Sequence, residues 1–460
     1  MPIGKKVIIV GSGISGLTCA YWLSKHGFDV KILEKEDIIG GTMQTYKEDG
    51  WLIEKGPNSA LETTPLFQEL FQDLDILNQR IYANKESDKR YILRNSILHP
   101  IPMSPPAFLK SKLWSTKGKL RILKEPFIGK ANKEETVAEF VERRLGKEIL
   151  DYAINPFVAG VFAGNPEELS VRYAFPKLYA LEEKYGGLIK GMIKGRKERK
   201  QRAEKAKDRA KMFSFIDGMH TLPAAIYNKL KNNFYLNSFV ESIIPYRSDK
   251  NTRYVINYYQ DGESKTLESD IVILSIPAYS AAKIINPIDP ETSKILEQIY
   301  YPPVAEIFLG FKNDAIQRNL DGFGYLIPAK EGRKILGTIW SSTIFPNRSP
   351  EGYSAFTTFV GGSRNPDVVE LDDNELLKIT TSEVKNIIGI SGHIQFHKII
   401  RWERAIPQYN LGYGKVLDVI EKFERSYKGI FICANYRGGI SVGDCVMSAD
   451  RTVKRILDLI

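Results

Sequence analysis

Apolar runs of two kinds alternate along this chain: short β-branched stretches with the look of buried strands, and longer segments with helical spacing. Lys5 to Val10 (KKVIIV) is of the first kind, Leu17 to His26 of the second, and Asp29 to Leu33 (DVKIL) is again a strand. Trp51 to Glu54 is a brief strand, and Leu66 to Leu74 a helix by apolar spacing. Lys117 to Leu123 and Thr136 to Leu150 read as helices. Pro100, Pro102, Pro105 and Pro106 lie between them, in what should be a loop that no regular element could hold. Phe213 to Ile216, a turn at Asp217-Gly218 and a helix from Met219 to Leu230 make a second strand–turn–helix. Strands are expected at Phe234 to Ile244, Arg253 to Tyr259 and Asp270 to Ile276, with a hairpin turn at Asp261-Gly262. Val304 to Phe311, Phe323 to Ile327, Ile335 to Trp340 and Tyr353 to Val360 read as successive antiparallel strands, followed by a helix over Glu370 to Ile388. Phe396 to Trp402 and Gly429 to Ala434 are further strands, and Asp444 to Leu459 a last helix.

Between the first strand and the first helix stands Gly11-Ser12-Gly13-Ile14-Ser15-Gly16, a GxGxxG turn. In this setting it is the dinucleotide fingerprint. Gly11 permits the tight turn, Gly13 lets a pyrophosphate approach the backbone, and Gly16 lets helix and strand pack closely. The helix N-terminus offers free N–H groups and the positive end of a dipole. Glu34, ending the second strand, stands where a carboxylate accepts ribose hydroxyls. Gly40-Gly41-Thr42 supplies another close backbone approach, and Gly56-Pro57-Asn58-Ser59 is a turn able to meet the far end of the cofactor.

At 460 residues the chain can build two or three cores. Its net charge of +10 is compatible with an anionic partner. Residues 196–211 concentrate the excess, with nine Lys/Arg against three Asp/Glu. This run reads first as a solvated helix or loop and second as a contact for an anionic membrane surface. It has no interleaved aromatics, and no nucleic-acid partner is expected. Cys19, Cys433 and Cys445 lack metal spacing and suit a reducing compartment. A strand begins within five residues of Met1, and no stretch of 18 apolar residues exists. No signal peptide and no membrane span are therefore expected, and the location should be cytoplasmic, with peripheral contact at the inner face of a membrane left open. The five histidines are scattered, and no Ser/His/Asp triad or Cys/His pair is visible. The sequence offers no catalytic residue and no metal site.

Several stretches together carry a resemblance. GSGISGL (11–17), GGTMQT (40–45), GPNS (56–59), PFVAGVFAGNPEELS (156–170), GFGYLIP (322–328), LGTIWSS with FPNR (336–348), FTTFVGG (356–362) and IPQYNLG (406–412) resemble the protoporphyrinogen IX oxidases. These belong to the same broad group as the flavin amine oxidases. The resemblance implies an α/β and α+β architecture. A discontinuous Rossmann-type FAD-binding domain would take residues 1–88, 212–285 and 393–460. A helical, membrane-binding insertion would take 89–211, and a substrate domain with a mixed or antiparallel sheet 286–392. It implies FAD held by Gly11 to Gly16 (including Ser12, Ile14 and Ser15), Glu34, Lys35, Gly41, Thr42 and Gly56 to Ser59 (with Pro57 and Asn58). Val240 would meet the adenine side, and Trp402, Ile440, Ser441 and Val442 the isoalloxazine side. It implies a porphyrinogen substrate bound by Arg90, Gly160, Ala163, Phe323, Leu326, Ile339 and Phe359, with oxygen as acceptor. A homodimer is left open. The implied reaction is a six-electron oxidation of protoporphyrinogen IX in three rounds of hydride transfer to FAD, giving hydrogen peroxide; coproporphyrinogen III is the alternative substrate, and another flavin amine oxidase-like enzyme the more distant one. The helix expected from Asp444 would stabilise the reduced flavin through its N-terminal dipole. Two departures stand out: Ile38 where an Arg is common, and Arg437-Gly438 where an aromatic and a Glu are common.

Overall fold

The computed structural model describes residues 4–195, 210–248 and 251–459. Most of the basic run of residues 196–211 lies outside them.

The strands Lys6–Val10, Asp29–Leu33, Ile271–Leu274 and Ile430–Ile432 are apolar on nearly every residue, as a strand covered on both faces must be. They form a five-stranded parallel sheet in the order Phe234–Tyr235, Asp29–Leu33, Lys6–Val10, Ile271–Leu274, Ile430–Ile432. Its strands come from the start, middle and end of the chain. The helices Ile14–Lys25 and Val442–Asp458 close one face through Leu17, Leu23, Val446 and Val453. An antiparallel meander, Ser238–Ser248, Asn251–Gln260 and Glu263–Ser269, closes the other with Val240, Ile256 and Tyr258.

A second, seven-stranded sheet runs Phe396–Trp402, Val304–Lys312, Tyr353–Gly361, Ile335–Ile339, Gly322–Leu326, Lys89–Arg94, Ile97–Pro100. All its pairs are antiparallel except Gly322–Leu326 with Lys89–Arg94. Lys89–Arg94 and Ile97–Pro100, grouped on sequence with the helical region, thus hydrogen-bond into this sheet, as does Phe396–Trp402, grouped with the nucleotide part. The helix Asp373–Ile388 covers one face through Leu376, Val384 and Ile388. The other face looks toward the nucleotide part and the site.

Residues 105–194 form short helices. Their centre is the fully buried Arg144, which donates to Glu125 at 2.8 Å and to Glu182. Both carboxylates are buried and further bonded, so the charges are paired as burial requires.

Several boundaries differ from the sequence reading. The proline cluster is not a plain loop: Pro100 ends a strand, while Pro105 and Pro106 open the helix Pro105–Lys110, capped by Ser104. At these first positions the missing N–H costs nothing. The expected helix over Thr136 to Leu150 starts at Val137 behind a Thr136/Glu139 capping box and breaks at Gly146, where φ is +94°. Phe234 to Ile244 is two strands, parted by Asn237 at φ +51°. The last helix begins at Val442 rather than Asp444, because Ser441 caps it.

Candidate active site

The first turn of the helix Ile14–Lys25 has no side-chain cap and no acidic residue. Its backbone donors therefore await a partner from outside the helix. Above Gly13 the space is open: a Cβ placed there would meet no atom within 4 Å. Gly11 and Gly16 are the opposite. A Cβ on Gly16 would lie 2.4 Å from the Gly11 carbonyl oxygen, and one on Gly11 2.6 Å from that of Ser275. One glycine leaves room for a ligand and two make the turn possible.

Glu34 is buried and accepts from the Ser12 N–H at 2.8 Å and the Ser12 hydroxyl at 2.6 Å. The Ser238 N–H donates to the Glu34 carbonyl at 2.7 Å, which brings the strand of Val240 beside it. Lys35 points to solvent and pairs with Glu36 at 2.9 Å. On the other side the Gly40 N–H donates to the Ser12 carbonyl at 3.0 Å, and a Cβ on Gly41 would approach the Gly13 Cα to 3.2 Å. Thr42 follows, its carbonyl packed on Gly56. Gly56, Pro57, Asn58 and Ser59 are half-buried. The carbonyl of Lys55 then accepts from the Trp402 indole N–H at 2.9 Å. A continuous line of neighbours thus runs from Glu34 through Ser12, Gly13, Gly41, Thr42 and Gly56 to Trp402. The open Gly13, the uncapped helix and the buried Glu34 fit the diphosphate and ribose of a dinucleotide.

Ile440, Ser441 and Val442 open the helix Val442–Asp458. Its N-terminus carries a capping box in which Asp444 accepts from the Ser441 hydroxyl at 2.6 Å. Asp444 sits in the first turn as a cap, not as the start of the helix. Arg437 turns inward onto Glu424 on the helix Tyr413–Ser426, which fixes one of the two departures noted on sequence. Ile38, the other, is exposed.

Beyond Trp402 the register of the seven-stranded sheet decides which residues meet. Residues directly opposite on adjacent strands share a face. Val304 faces Trp402, Glu306 faces both Ile400 and Phe359, and Phe359 faces Gly337. Gly337 faces Leu326, and Ile339 and Arg90 both face Gly324. Hence Trp402, Glu306, Phe359, Ile339, Leu326 and Arg90 lie on one face. Trp402, Phe359, Ile339 and Leu326 are only half-covered there, whereas the side chains of the opposite face are buried in a core. Gly160, on the helix Asn155–Phe162, leans on this face so closely that a Cβ would lie 2.4 Å from Leu326. Ala163 ends that helix at φ +51°, and its carbonyl accepts from the Ser363 N–H at 2.7 Å. The Arg90 guanidinium stands 5.5 Å over the Phe323 ring at the exposed end and makes no salt bridge among the described residues. The substrate residues implied on sequence are thus brought together along one cleft.

Two carboxyl groups on this cleft were not singled out on sequence. Burial pushes Glu306 up to about 8; the nearby Trp402 N–H opposes the rise and Glu54 adds to it. Burial also pushes Glu54 up to about 7, against the Thr45 hydroxyl, the Arg348 guanidinium at 3.8 Å and the Met219 N–H. The sequence signal for Glu306 is plain once sought: it is a lone acid in the apolar strand VAEIFLGFK, at the parity that faces the cleft.

The family described as flavin containing amine oxidoreductase matches residues 14–457. Protoporphyrinogen oxidase 2 of Arabidopsis thaliana, chloroplastic/mitochondrial, is 32% identical over 99% of this chain and 94% of its own. Coproporphyrinogen III oxidase of Bacillus subtilis (strain 168) is 29% identical over 97% of each. A solved structure from Exiguobacterium sp. 255-15 shares the fold with a TM-score of 0.80, at 24% identity over 98% of each chain. The cofactor of this family is FAD, a dinucleotide of the kind the cradle fits. With its fingerprint, its three-part nucleotide sheet and matches over nearly its whole length, the chain belongs to the flavin containing amine oxidoreductase family and is an FAD-dependent oxidoreductase.

Proposed function

We propose that this protein oxidises protoporphyrinogen IX to protoporphyrin IX, with oxygen as acceptor, in haem biosynthesis. The carrying observation is the cleft. Half-covered apolar side chains at Leu326, Ile339 and Phe359 line up on one sheet face that ends at Trp402, with the exposed Arg90 guanidinium at its outer end. A flat apolar macrocycle with carboxylate tails suits that arrangement. The plant and bacterial relatives bear names of porphyrinogen oxidases.

FAD, when bound, supplies the two-electron acceptor and hands the electrons to oxygen, so six electrons take three rounds. The protein's residues do the rest. Gly13 and the helix behind it hold the diphosphate, and Glu34 the ribose. Leu326, Ile339 and Phe359 sandwich the rings and keep water out, while Gly160 and Ala163 present backbone to the macrocycle edge. Arg90 takes a propionate through a charge-assisted contact and sets which bridge carbon lies inward.

The helical region adds a second element to the reading. Met103, Leu109, Leu120, Leu123 and Phe127 are exposed, Phe127 at 89%. Lys110, Lys112, Lys117 and Lys124 are exposed among them. We infer that this face rests on an anionic membrane surface, apolar side chains entering the headgroup layer and lysines meeting phosphates. Among the described residues no helix is long and apolar enough to cross a membrane.

The test of the main reading is direct. The purified protein should be yellow with bound FAD and, under air, should produce porphyrin fluorescence from protoporphyrinogen IX at a higher kcat/KM than from coproporphyrinogen III. The reverse preference would select the second substrate. No fluorescence from either would overturn the reading.

A further inference from the structure

Glu306 sits in the strand Val304–Lys312, whose other residues on that side are Val304, Phe308 and Gly310, with Lys312 at the exposed end. It is 5% exposed and makes no salt bridge among the described residues. Its Oε2 is buried with no hydrogen-bond partner among the described residues. A buried carboxyl left in this condition costs stability, so its place needs another reason. Its surroundings supply one. Opposite it on one side is Phe359, half-covered on the cleft. On the other strand Ile400 is opposite, with Trp402 next on the same face. The groups that face it across the cleft are few. Glu54 ends the strand Trp51–Glu54, which packs on this same sheet face, and is itself held by Thr45, the Met219 N–H and Arg348. The Lys55 ammonium lies 5.3 Å over the Trp402 ring, and the Trp402 N–H is committed to the Lys55 carbonyl. Glu306 therefore stands between a residue assigned to the flavin end, Trp402, and one assigned to the macrocycle, Phe359.

The inference rests on the porphyrinogen reading. In each round a bridge carbon loses a hydride, the macrocycle sheds one proton and one double bond is added to the conjugated system; over three rounds two of those protons come from pyrrole nitrogens and one from the fourth bridge carbon. The hydride's electron pair passes by way of FAD to oxygen, whose reduction to hydrogen peroxide consumes both hydrogens. We propose that Glu306 is the proton-transfer group of this site, taking the proton that the macrocycle sheds in each round and returning it when oxygen is reduced. Atoms and electrons balance over the round, and Glu306 ends as it began. A carboxyl raised by burial toward neutral pH suits a group that must both take and give a proton. The other carboxyl near this face, Glu54, is held by Thr45, the Met219 N–H and Arg348, which leaves Glu306 as the less engaged of the two.

The FAD-loaded wild-type protein, Glu306→Gln and Glu306→Asp test this in two ways. First, infrared difference spectra from mildly acidic to mildly alkaline pH should show the carbonyl band of a protonated carboxylic acid that ionises. In Glu306→Gln the part of that band that ionises near 8 should be lost, leaving the part from Glu54, which ionises near 7. Second, anaerobic single turnover with protoporphyrinogen IX should show the rate of flavin bleaching rising with pH in the wild type. In Glu306→Gln it should fall by about 10²-fold and lose that pH dependence, with Glu306→Asp recovering part of both. FAD absorbance checks folding in each variant, and the Asp variant carries the test if the Gln variant loses its cofactor. A Gln variant that keeps the wild-type rate overturns the proposal. So does a slowed Gln variant with an unchanged pH profile, or a wild type with no such infrared band. Failure of the underlying reading looks different: the wild type itself then gives no porphyrin fluorescence.

Discussion

Arg90 and Glu306 occupy opposite ends of one sheet face and mark two different uses of charge. Arg90 is exposed, makes no salt bridge among the described residues and stacks at 5.5 Å on Phe323. It can bind a carboxylate without first breaking an ion pair, and it stands away from the flavin end at Trp402. Arg90→Ala should therefore raise KM for the porphyrinogen several-fold while kcat changes little, as expected for a contact made equally before and during reaction. Steady-state kinetics with an unchanged KM would remove Arg90 from the substrate site. Glu306 is buried instead, and its cost has a sign that pH can read. In the folded protein it holds its proton up to about 8, whereas an ordinary carboxyl releases it near 4.5. The folded state thus binds more protons over that window. Its contribution is fully present below about 4.5 and is lost as pH rises to about 8, at up to about 1.4 kcal/mol per pH unit. Glu306→Gln should flatten the decline of melting temperature across this range, leaving the part due to Glu54, which is raised to about 7. Parallel melting profiles for the two proteins would contradict this account.

At the scale of the element, the strand–turn–helix at the start of the chain separates folding from binding glycine by glycine. A Cβ on Gly16 would press to 2.4 Å on a backbone oxygen, which cannot move aside without opening the turn. Gly16→Ala should lower both the melting temperature of the apoprotein and its FAD content. A Cβ on Gly13 meets nothing within 4 Å, yet occupies the space a diphosphate would use. Gly13→Ala should leave the apoprotein as stable as the wild type and weaken FAD binding by tenfold or more, roughly the 1.4 kcal/mol that one lost close contact represents. Calorimetry and flavin absorbance on the pair distinguish the two; equal stability losses would contradict the assignment. The final helix teaches a different lesson. Its N-terminus is already occupied by a Ser441/Asp444 capping box. An acid in the first turn offsets part of the dipole, so stabilisation of negative charge there is weaker than for the uncapped helix behind Gly13.

At the scale of the whole molecule, a parallel sheet holds the nucleotide and a mixed sheet holds the cleft. The Trp51–Glu54 strand joins them: Trp51 stacks on Phe396 at 5.4 Å and packs edge-on against Phe308 at 5.9 Å. The helical region projects an apolar, lysine-bearing surface. Co-sedimentation with anionic vesicles should be strong at low salt and weaken as salt rises, because the charge term is screened within about 10 Å at 0.1 M. Leu123→Asp with Phe127→Asp should abolish it while leaving FAD content unchanged, since both side chains are exposed. Undiminished sedimentation of the double variant would move the contact elsewhere, with the basic run of residues 196–211 the next place to look.

The nucleotide half was legible in the sequence because its information is local. A β-branched run, a glycine turn and a helix must be neighbours in the chain to work, so GSGISG and Glu34 name their own geometry, and the apolar strands from Val7 to Ile432 announce burial on both faces. Element ends were less legible, as at Val442 and Pro105, because caps override the apolar pattern by one side-chain bond. The helix Tyr413–Ser426 was passed over although it is amphipathic; its partner Arg437 lies beyond its own end. The cleft was legible only through resemblance. Leu326, Ile339, Phe359 and Arg90 are, one by one, ordinary residues of ordinary strands. What makes them a site is the pairing register of strands far apart in the chain, Gly324 with Arg90 among them, since shifting any strand by one residue would turn its side chains to the other face. The same register put Glu306 beside Trp402 and Phe359. That a carboxyl stands in an apolar strand was determined by the sequence alone; that it faces the cleft beside Trp402 and Phe359 was decided only by the tertiary structure, because hydrogen bonding between distant strands, and not spacing along one of them, sets which side chains meet.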